Sequence, residues 1–489
     1  MLIKIINKYK LLPVQIQASF WFFVCAFLQK GISVITTPIF TRLLTTTEYG
    51  QYSVFSSWLG IISVFVSLNL YYGVYVQGLV KFEAEKKAYS SSMQGLCLTL
   101  VFLWTIIYLL FHEFWNTIFS LTTLQSLCML VLIWSTAVFN FWSVEQRVNY
   151  NYWELIRITI IVSIVKPILG IFLVLNADDK VTARILGLAV VELIVYARLF
   201  FRQMAEGRIF FQKKFWKYAL QFNIPLLPHY LSTSVLNGAD RIMIKKMVGG
   251  DVAGIYSLAY SISLLMTMFN TALLQTLEPW MYKKIKCKQT KEISRIAYPA
   301  LIIIAGVNLT LIAFAPEVVS IFAPPEYRNA IWVIPPVTMS VYFMFAYSFF
   351  AVYEFYYEQT HFIAIATMLG AIGNIVLNYI FIDIFGYYAA GYTTLICYII
   401  YTVMHYCFMR KISSKYLNNK QNYNTKIVLM ISICFVLFGF IFLFTYHNVV
   451  LRYFIIFIVT IGLYIKRDYL KRILQTMMQV KKGNTLERS

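Results

Sequence analysis

The chain has 489 residues, 60% of them hydrophobic and only 13% charged, with a formal charge of +21 at pH 7. A water-soluble domain is about one-quarter charged, so this composition excludes that class and selects an integral membrane protein. The positive charge does not signal nucleic acid, because the basic residues fall in short segments between apolar runs and form no stripe on a polar domain.

Lys4, Lys8 and Lys10 precede an apolar run from about Val14 to Phe40. That run is too long for the core of a signal peptide and lacks a small-x-small cleavage site, so it is predicted to be the first membrane helix. About 20 apolar residues cross the hydrocarbon core. By that rule fourteen spans are predicted, at 14–41, 50–78, 89–111, 118–142, 150–175, 181–201, 217–245, 253–281, 296–315, 328–353, 361–382, 387–409, 426–446 and 449–466. The seventh is interrupted by polar residues.

Ionisable groups inside spans are costly and are functional candidates by default. Span one carries Lys30 near its middle, and span five carries Arg157 and Lys166. Pro167 follows and leaves the Ser163 carbonyl without its helical donor, which favours a kink. Arg198 in span six is placed to snorkel to the interface, as Arg157 also is. Glu192 is the one deep acid of the first half. Asp240, Glu278, Glu354 and Glu358 make the second half acidic, although the last two also fit the cytoplasmic interface.

Loop charge gives the orientation. Of the 42 Lys and Arg, only Arg42, Lys180, Arg184, Arg241, Lys245, Lys246, Arg328 and Arg452 fall on outer segments when the N-terminus is cytoplasmic. The excess, including the cluster from Lys283 to Lys291, falls inside, so both termini are expected in the cytoplasm.

Shifting the chain by 204 residues aligns two patches. Arg42-Leu43-Leu44 with Gly50-Gln51-Tyr52-Ser53 falls on Lys246-Met247-Val248 with Gly254-Ile255-Tyr256-Ser257, and Gly187 falls on Gly391. Six helices separate the copies, so the two lobes point the same way, related by an axis along the membrane normal. The expected fold is therefore all-α and integral to the membrane, with about fourteen transmembrane helices. Residues 1–210 form an N-terminal lobe (helices 1–6), 211–415 a parallel-related C-terminal lobe (helices 7–12), 416–466 two further helices and 467–489 a basic cytoplasmic tail.

The stretch Pro38-Ile39-Phe40-Thr41-Arg42-Leu43-Leu44, followed by Glu48-Tyr49-Gly50-Gln51-Tyr52, resembles the polysaccharide flippases of the Wzx type. So do Asn223-Ile224-Pro225-Leu226-Leu227-Pro228-His229, Asp240-Arg241-Ile242-Met243-Ile244 and Ala253-Gly254-Ile255-Tyr256-Ser257. The resemblance covers the whole chain. It implies the fold of the multidrug/oligosaccharidyl-lipid/polysaccharide exporter superfamily and a substrate: an undecaprenyl-diphosphate-linked oligosaccharide, such as an O-antigen unit of lipopolysaccharide. That substrate would pass from the cytoplasmic to the periplasmic leaflet of the bacterial inner membrane. A polymerase and glycosyltransferases of the same pathway are the implied partners, besides membrane lipid.

On this reading Lys30, Lys166, Arg157 and Arg42 are the candidates for the diphosphate, since fixed positive charge offsets the desolvation of an anion. Lipid II flippases of the same superfamily hold sodium with an Asp on span seven, an Asn-x-x-x-Asp pair on span eleven and a Thr on span twelve. Asp240, Asn374 with Asn378, and Thr394 occupy comparable places, with Asn378 standing where the second acid would be. Together with Glu192 and Glu278 they are the ion-coupling candidates, for H+ or Na+. Asn374 and Asn378 at i, i+4 equally suit hydrogen bonding between helices.

No cofactor is expected. The seven cysteines lack a C-x-x-C pair, and the five histidines lack metal-ligand spacing. Walker, nucleophile-elbow and dinucleotide motifs are absent from the sequence. The rival readings are a cation-coupled multidrug exporter of the same superfamily and a membrane polysaccharide polymerase or glycosyltransferase, which would need a long catalytic loop.

Overall fold

A computed structural model of the chain describes residues 14–417 and 423–465. The tail expected at 467–489 lies outside the described residues. All regular structure among them is helical. Nine of these helical segments are long and apolar enough to cross a membrane, and the fourteen predicted spans fall largely on helix. The described residues divide into two compact units, one up to Lys245 and one from Lys246 onward.

The first unit opens with α1 (Val14–Leu43) and α2 (Thr46–Ser67). Their junction is set by a capping box: Thr45 Oγ1 accepts from the Glu48 backbone N–H at 3.2 Å, and Glu48 Oε2 accepts from the Thr45 N–H at 2.7 Å. Two orphan donors of the helix start are thereby satisfied. The second predicted span then breaks. Leu68 and Asn69 adopt φ of 50° and 48°, and α3 (Gly73–Lys81) follows.

Next come α4 (Lys86–Leu110), the short α5 (His112–Phe119), α6 (Thr123–Val148), α7 (Tyr152–Leu175) and α8 (Lys180–Gly207). The seventh span is split into α9 (Lys213–Asn223), a 3-10 turn over Ile224–Leu226 and α10 (Leu227–Met247). Pro225 and Pro228 explain the division, because neither has an N–H to continue the ladder. Within this unit α8 packs along α7, α6 and α4, and α1 lies along α7.

Helix α8 approaches its neighbour very closely. A Cβ built on Gly187 would stand 2.8 Å from the Gly170 Cα, so only glycine fits. Buried polar groups tie α8 to α4 and α6: Gln94 Nε2 donates to Gln203 Oε1 at 2.6 Å, and Gln203 Nε2 donates to Glu145 Oε2 at 2.6 Å. In an apolar medium such donors must find partners inside the protein.

The second unit comprises α11 (Gly250–Leu264), α12 (Thr267–Lys286), α13 (Thr290–Ala313), the short α14 (Ala315–Phe322), α15 (Ile334–Tyr356), α16 (Thr360–Phe385), α17 (Tyr388–Tyr416), α18 (Thr425–Phe444) and α19 (Val449–Ile465). Helix α15 is its buried axis, packed on α17, α13, α11 and α12. Helix α18 lies along α13, and Arg452 of α19 pairs with Glu317 of α14.

The 204-residue offset has a packing counterpart. Helix α8 packs on α6 and α7, and α17 packs on α15 and α16. Gly187 and Gly391 both mark close approaches, yet the neighbours differ: Gly391 faces Pro336 of α15, at 3.0 Å from a built Cβ, whereas Gly187 faces α7.

Candidate functional site

The motif at the end of α1 and the start of α2 does two jobs. Glu48 is engaged in the helix cap, while the aromatic residues form a cage. The Arg184 guanidinium of α8 lies 3.8 Å from the centre of the Phe40 ring and 3.5 Å from that of Tyr52, with Tyr49 at 5.6 Å. Aromatic faces hold a cation without neutralising it, at about 0.5–2 kcal/mol per contact. Arg184 Nη1 is buried and makes no hydrogen bond.

The surroundings keep this end of the unit positive. Asp179 accepts from the Thr182 N–H at 3.0 Å and from its hydroxyl at 2.6 Å, so it serves as the α8 cap. Lys180 Nζ donates to the Leu43 carbonyl at 3.1 Å, one turn from Arg184. Arg42 is exposed, with Nη1 donating to the Pro38 carbonyl at 2.9 Å. Arg42, Lys180 and Arg184 thus gather where α1, α2 and α8 meet, and Glu48 and Asp179 are engaged in caps.

Further along α7 and α8, Lys166 and Glu192 form an ion pair. Thr136 Oγ1 of α6 donates to the other Glu192 oxygen at 3.0 Å, and the Tyr196 ring lies 6.0 Å from the Lys166 ammonium. The Lys166 side chain is 23% exposed and that of Glu192 9%, so the pair is interior yet reachable from one side. A residue expected to meet substrate and one expected to couple an ion are therefore a single unit. Arg157 is exposed on α7. Lys30 falls on α1, and its side chain lies outside the described residues.

The remaining ion-coupling candidates are distributed. Asp240 is buried on α10 in the first unit, beside Arg241, whose Nη1 approaches Ser57 Oγ at 3.5 Å. In the second unit Asn374 and Asn378 of α16 and Thr394 of α17 come together, all fully buried. Asn378 Nδ2 donates to Asn374 Oδ1 at 3.2 Å, and Asn374 Nδ2 donates to Thr394 Oγ1 at 3.4 Å. Thr393 Oγ1 donates to Asn378 Oδ1. Both amide oxygens already accept hydrogen bonds, so this network joins α16 to α17 and would have to open to receive a cation. Glu278 is exposed on α12.

Loop charge counts Arg184 among the outer-segment cations, at the start of span six, and gives it no role in the site. The signal was present in two places, as the Lys180/Arg184 spacing of one helical turn and as three aromatic residues in the motif. Nothing in the sequence says that these segments, more than a hundred residues apart, meet.

The sequence matches the family model described as "Polysaccharide biosynthesis protein" over residues 16–285. Among curated protein sequences none matches significantly. Solved structures do. The chain is similar to one described as "Lipid II flippase MurJ, inward closed conformation", at 15% identity and a TM-score of 0.67, over 91% of this chain and 99% of that one. It is similar to a multidrug resistance MATE family transporter of the MOP superfamily in an inward-facing conformation, at 14% identity and a TM-score of 0.60, over 79% and 95% of the two chains. A MOP superfamily transporter from Pyrococcus furiosus aligns at 12% identity and a TM-score of 0.52, over 82% and 96%. At these identities the likeness is one of fold: an all-helical, multi-pass membrane architecture shared with transporters of that superfamily.

Proposed function

Because the chain belongs to the polysaccharide biosynthesis protein family, we propose that it is a flippase for undecaprenyl-diphosphate-linked oligosaccharides, such as O-antigen units. It would move them from the cytoplasmic to the periplasmic leaflet of a bacterial inner membrane, handing them on from glycosyltransferases to a polymerase. The observation that supports this reading best is the interior Lys166–Glu192 pair on the unit that also holds the caged Arg184.

A diphosphate entering the interior needs cations that are held in place. Arg184 supplies a charge already desolvated on one side. Lys166 supplies a charge that must first leave Glu192, and this links the two ion equilibria. When a phosphate takes Lys166, the carboxylate is left bare in a low-dielectric site and gains affinity for H+ or Na+. Asp240 and the Asn374–Asn378–Thr394 network are the other proposed coupling groups. Outward movement of an anion is electrically downhill in an inside-negative membrane, by about 2.3 kcal/mol per charge per 100 mV. The coupling ion would then chiefly reset the empty carrier.

The direct test is leaflet exchange of an undecaprenyl-diphosphate-linked oligosaccharide in vesicles containing the purified protein. Protein-dependent exchange, with no expulsion of cationic dyes, is expected. Expulsion of dyes without glycan exchange would select the multidrug-export reading instead.

Orientation has a native reporter. Cys287, between α12 and α13, is exposed and lies within the basic cluster Lys283–Lys291. With that loop cytoplasmic, a membrane-impermeant thiol reagent should label Cys287 in inverted vesicles and leave it unlabelled in intact spheroplasts. The opposite pattern would reverse the proposed topology.

A further inference from the structure

Near the end of α15, Glu354 meets His405 of α17. Both side chains are fully buried, and His405 Nδ1 stands 2.7 Å from Glu354 Oε1, sharing one hydrogen bond. The second oxygen, Glu354 Oε2, and the second ring nitrogen, His405 Nε2, are buried without hydrogen-bond partners. Aromatic rings enclose the pair. Tyr347 stacks on the imidazole at 5.2 Å and Tyr401 meets it edge-on at 4.4 Å. Phe408 closes a further side at 6.5 Å.

The titratable groups around the dyad are few. His361 at the start of α16 lies within electrostatic range of Glu354, and Glu278 of α12 within range of Tyr347. Tyr353 lies on Glu354's own helix and contacts Tyr423, just before α18. Tyr401 meets Thr367 of α16. Lys411 of α17 sits over the Phe362 ring, and that ring in turn stacks on Phe408. Among the described residues no Lys or Arg forms an ion pair with Glu354.

We propose that Glu354 and His405 form a proton-binding site of the second unit, holding one proton that exchanges only when the packing of α15 against α17 opens. The argument is charge balance in a medium that solvates charge poorly. With one shared proton the pair is neutral, whether as imidazolium with carboxylate or imidazole with carboxylic acid. Removing that proton leaves a bare carboxylate, and adding a second leaves a bare imidazolium; either is expensive at a fully buried position. Water reaching the unpartnered Oε2 and Nε2 removes the penalty and lets the proton leave. A site of this kind ties proton occupancy to helix packing. Its use in transport rests on the flippase reading, but the binding of the proton does not.

The test is proton release from the full-length protein in lipid nanodiscs after an alkaline jump, followed by infrared difference spectroscopy of carboxyl and imidazole bands. Wild type should release one proton that Glu354→Gln does not, with loss of the paired carboxyl and imidazole signals. Glu354→Gln keeps an acceptor for His405 Nδ1. Should it fail to fold, His405→Gln is the second variant: it removes the imidazole, so the imidazole band and the paired carboxyl signal should both be lost. Identical release and identical spectra in wild type and either folded variant would overturn the proposal. In vesicles, a pH gradient should alter wild-type glycan exchange and leave exchange by the variants insensitive to the gradient. If wild type moves no glycan while the proton signal is intact, the flippase reading fails and the proton site stands.

Discussion

Lys166→Ala should reduce surface glycan to the level of cells lacking the protein, while the protein still inserts in the membrane. The substitution removes a cation and also strands Glu192, which keeps only the Thr136 hydroxyl as a partner. Breaking a fully buried pair costs roughly 3–5 kcal/mol, and this half-open pair should fall at or below the lower end of that range. Stability and transport can be separated by a second variant. Lys166→Ala combined with Glu192→Gln leaves no stranded charge, so it should recover thermal stability and still not export glycan. Recovery of export together with stability would show that the pair only holds α7 to α8. Lys166→Arg keeps the charge with a different shape, and partial export is expected from it.

Arg184→Ala should also abolish export, for a different reason. The guanidinium is held by ring faces and has a donor left over, so its removal deletes a desolvated positive charge with which no carboxylate among the described residues forms an ion pair. Arg184→Met fills similar volume between Phe40 and Tyr52 and largely keeps the packing of α8 against α1 and α2. Its melting temperature should stay within a few degrees of wild type, with export lost. Tyr52→Phe preserves the ring and should retain export. Tyr52→Leu removes one face of the cage, worth about 0.5–2 kcal/mol, and should lower export several-fold. A glycan-competent Arg184→Met protein would reduce the cage to a structural clamp. Measuring binding of the lipid-linked diphosphate to detergent-purified variants gives a readout independent of turnover.

The family motif around Phe40 to Tyr52 shows how sequence and structure divide the explanation. Its chain of residues was legible as a motif, and Thr45 to Glu48 has the spacing of a helix cap. That the aromatic positions exist to hold Arg184 was not legible, because the arginine arrives from a helix more than a hundred residues later. Lys166 and Glu192 were each singled out as costly interior charges. Their assignment to separate roles came from reading them one at a time, whereas pairing cancels most of the cost that made each conspicuous. His405 was set aside for lacking a metal-ligand neighbour in sequence. Its partner, Glu354, stands fifty-one positions earlier.

By itself the sequence determined what depends on local composition: the membrane class, the sites of the helical spans and the charges too costly to be incidental. These follow from length, hydropathy and period, which are one-dimensional properties of a helix in hydrocarbon. Only the tertiary structure decided which charges share a partner, which aromatic rings face a cation and which predicted spans break. Those outcomes depend on contacts between distant helices, and in a low-dielectric interior it is such contacts that set whether a charge is neutralised, caged or left to bind something else.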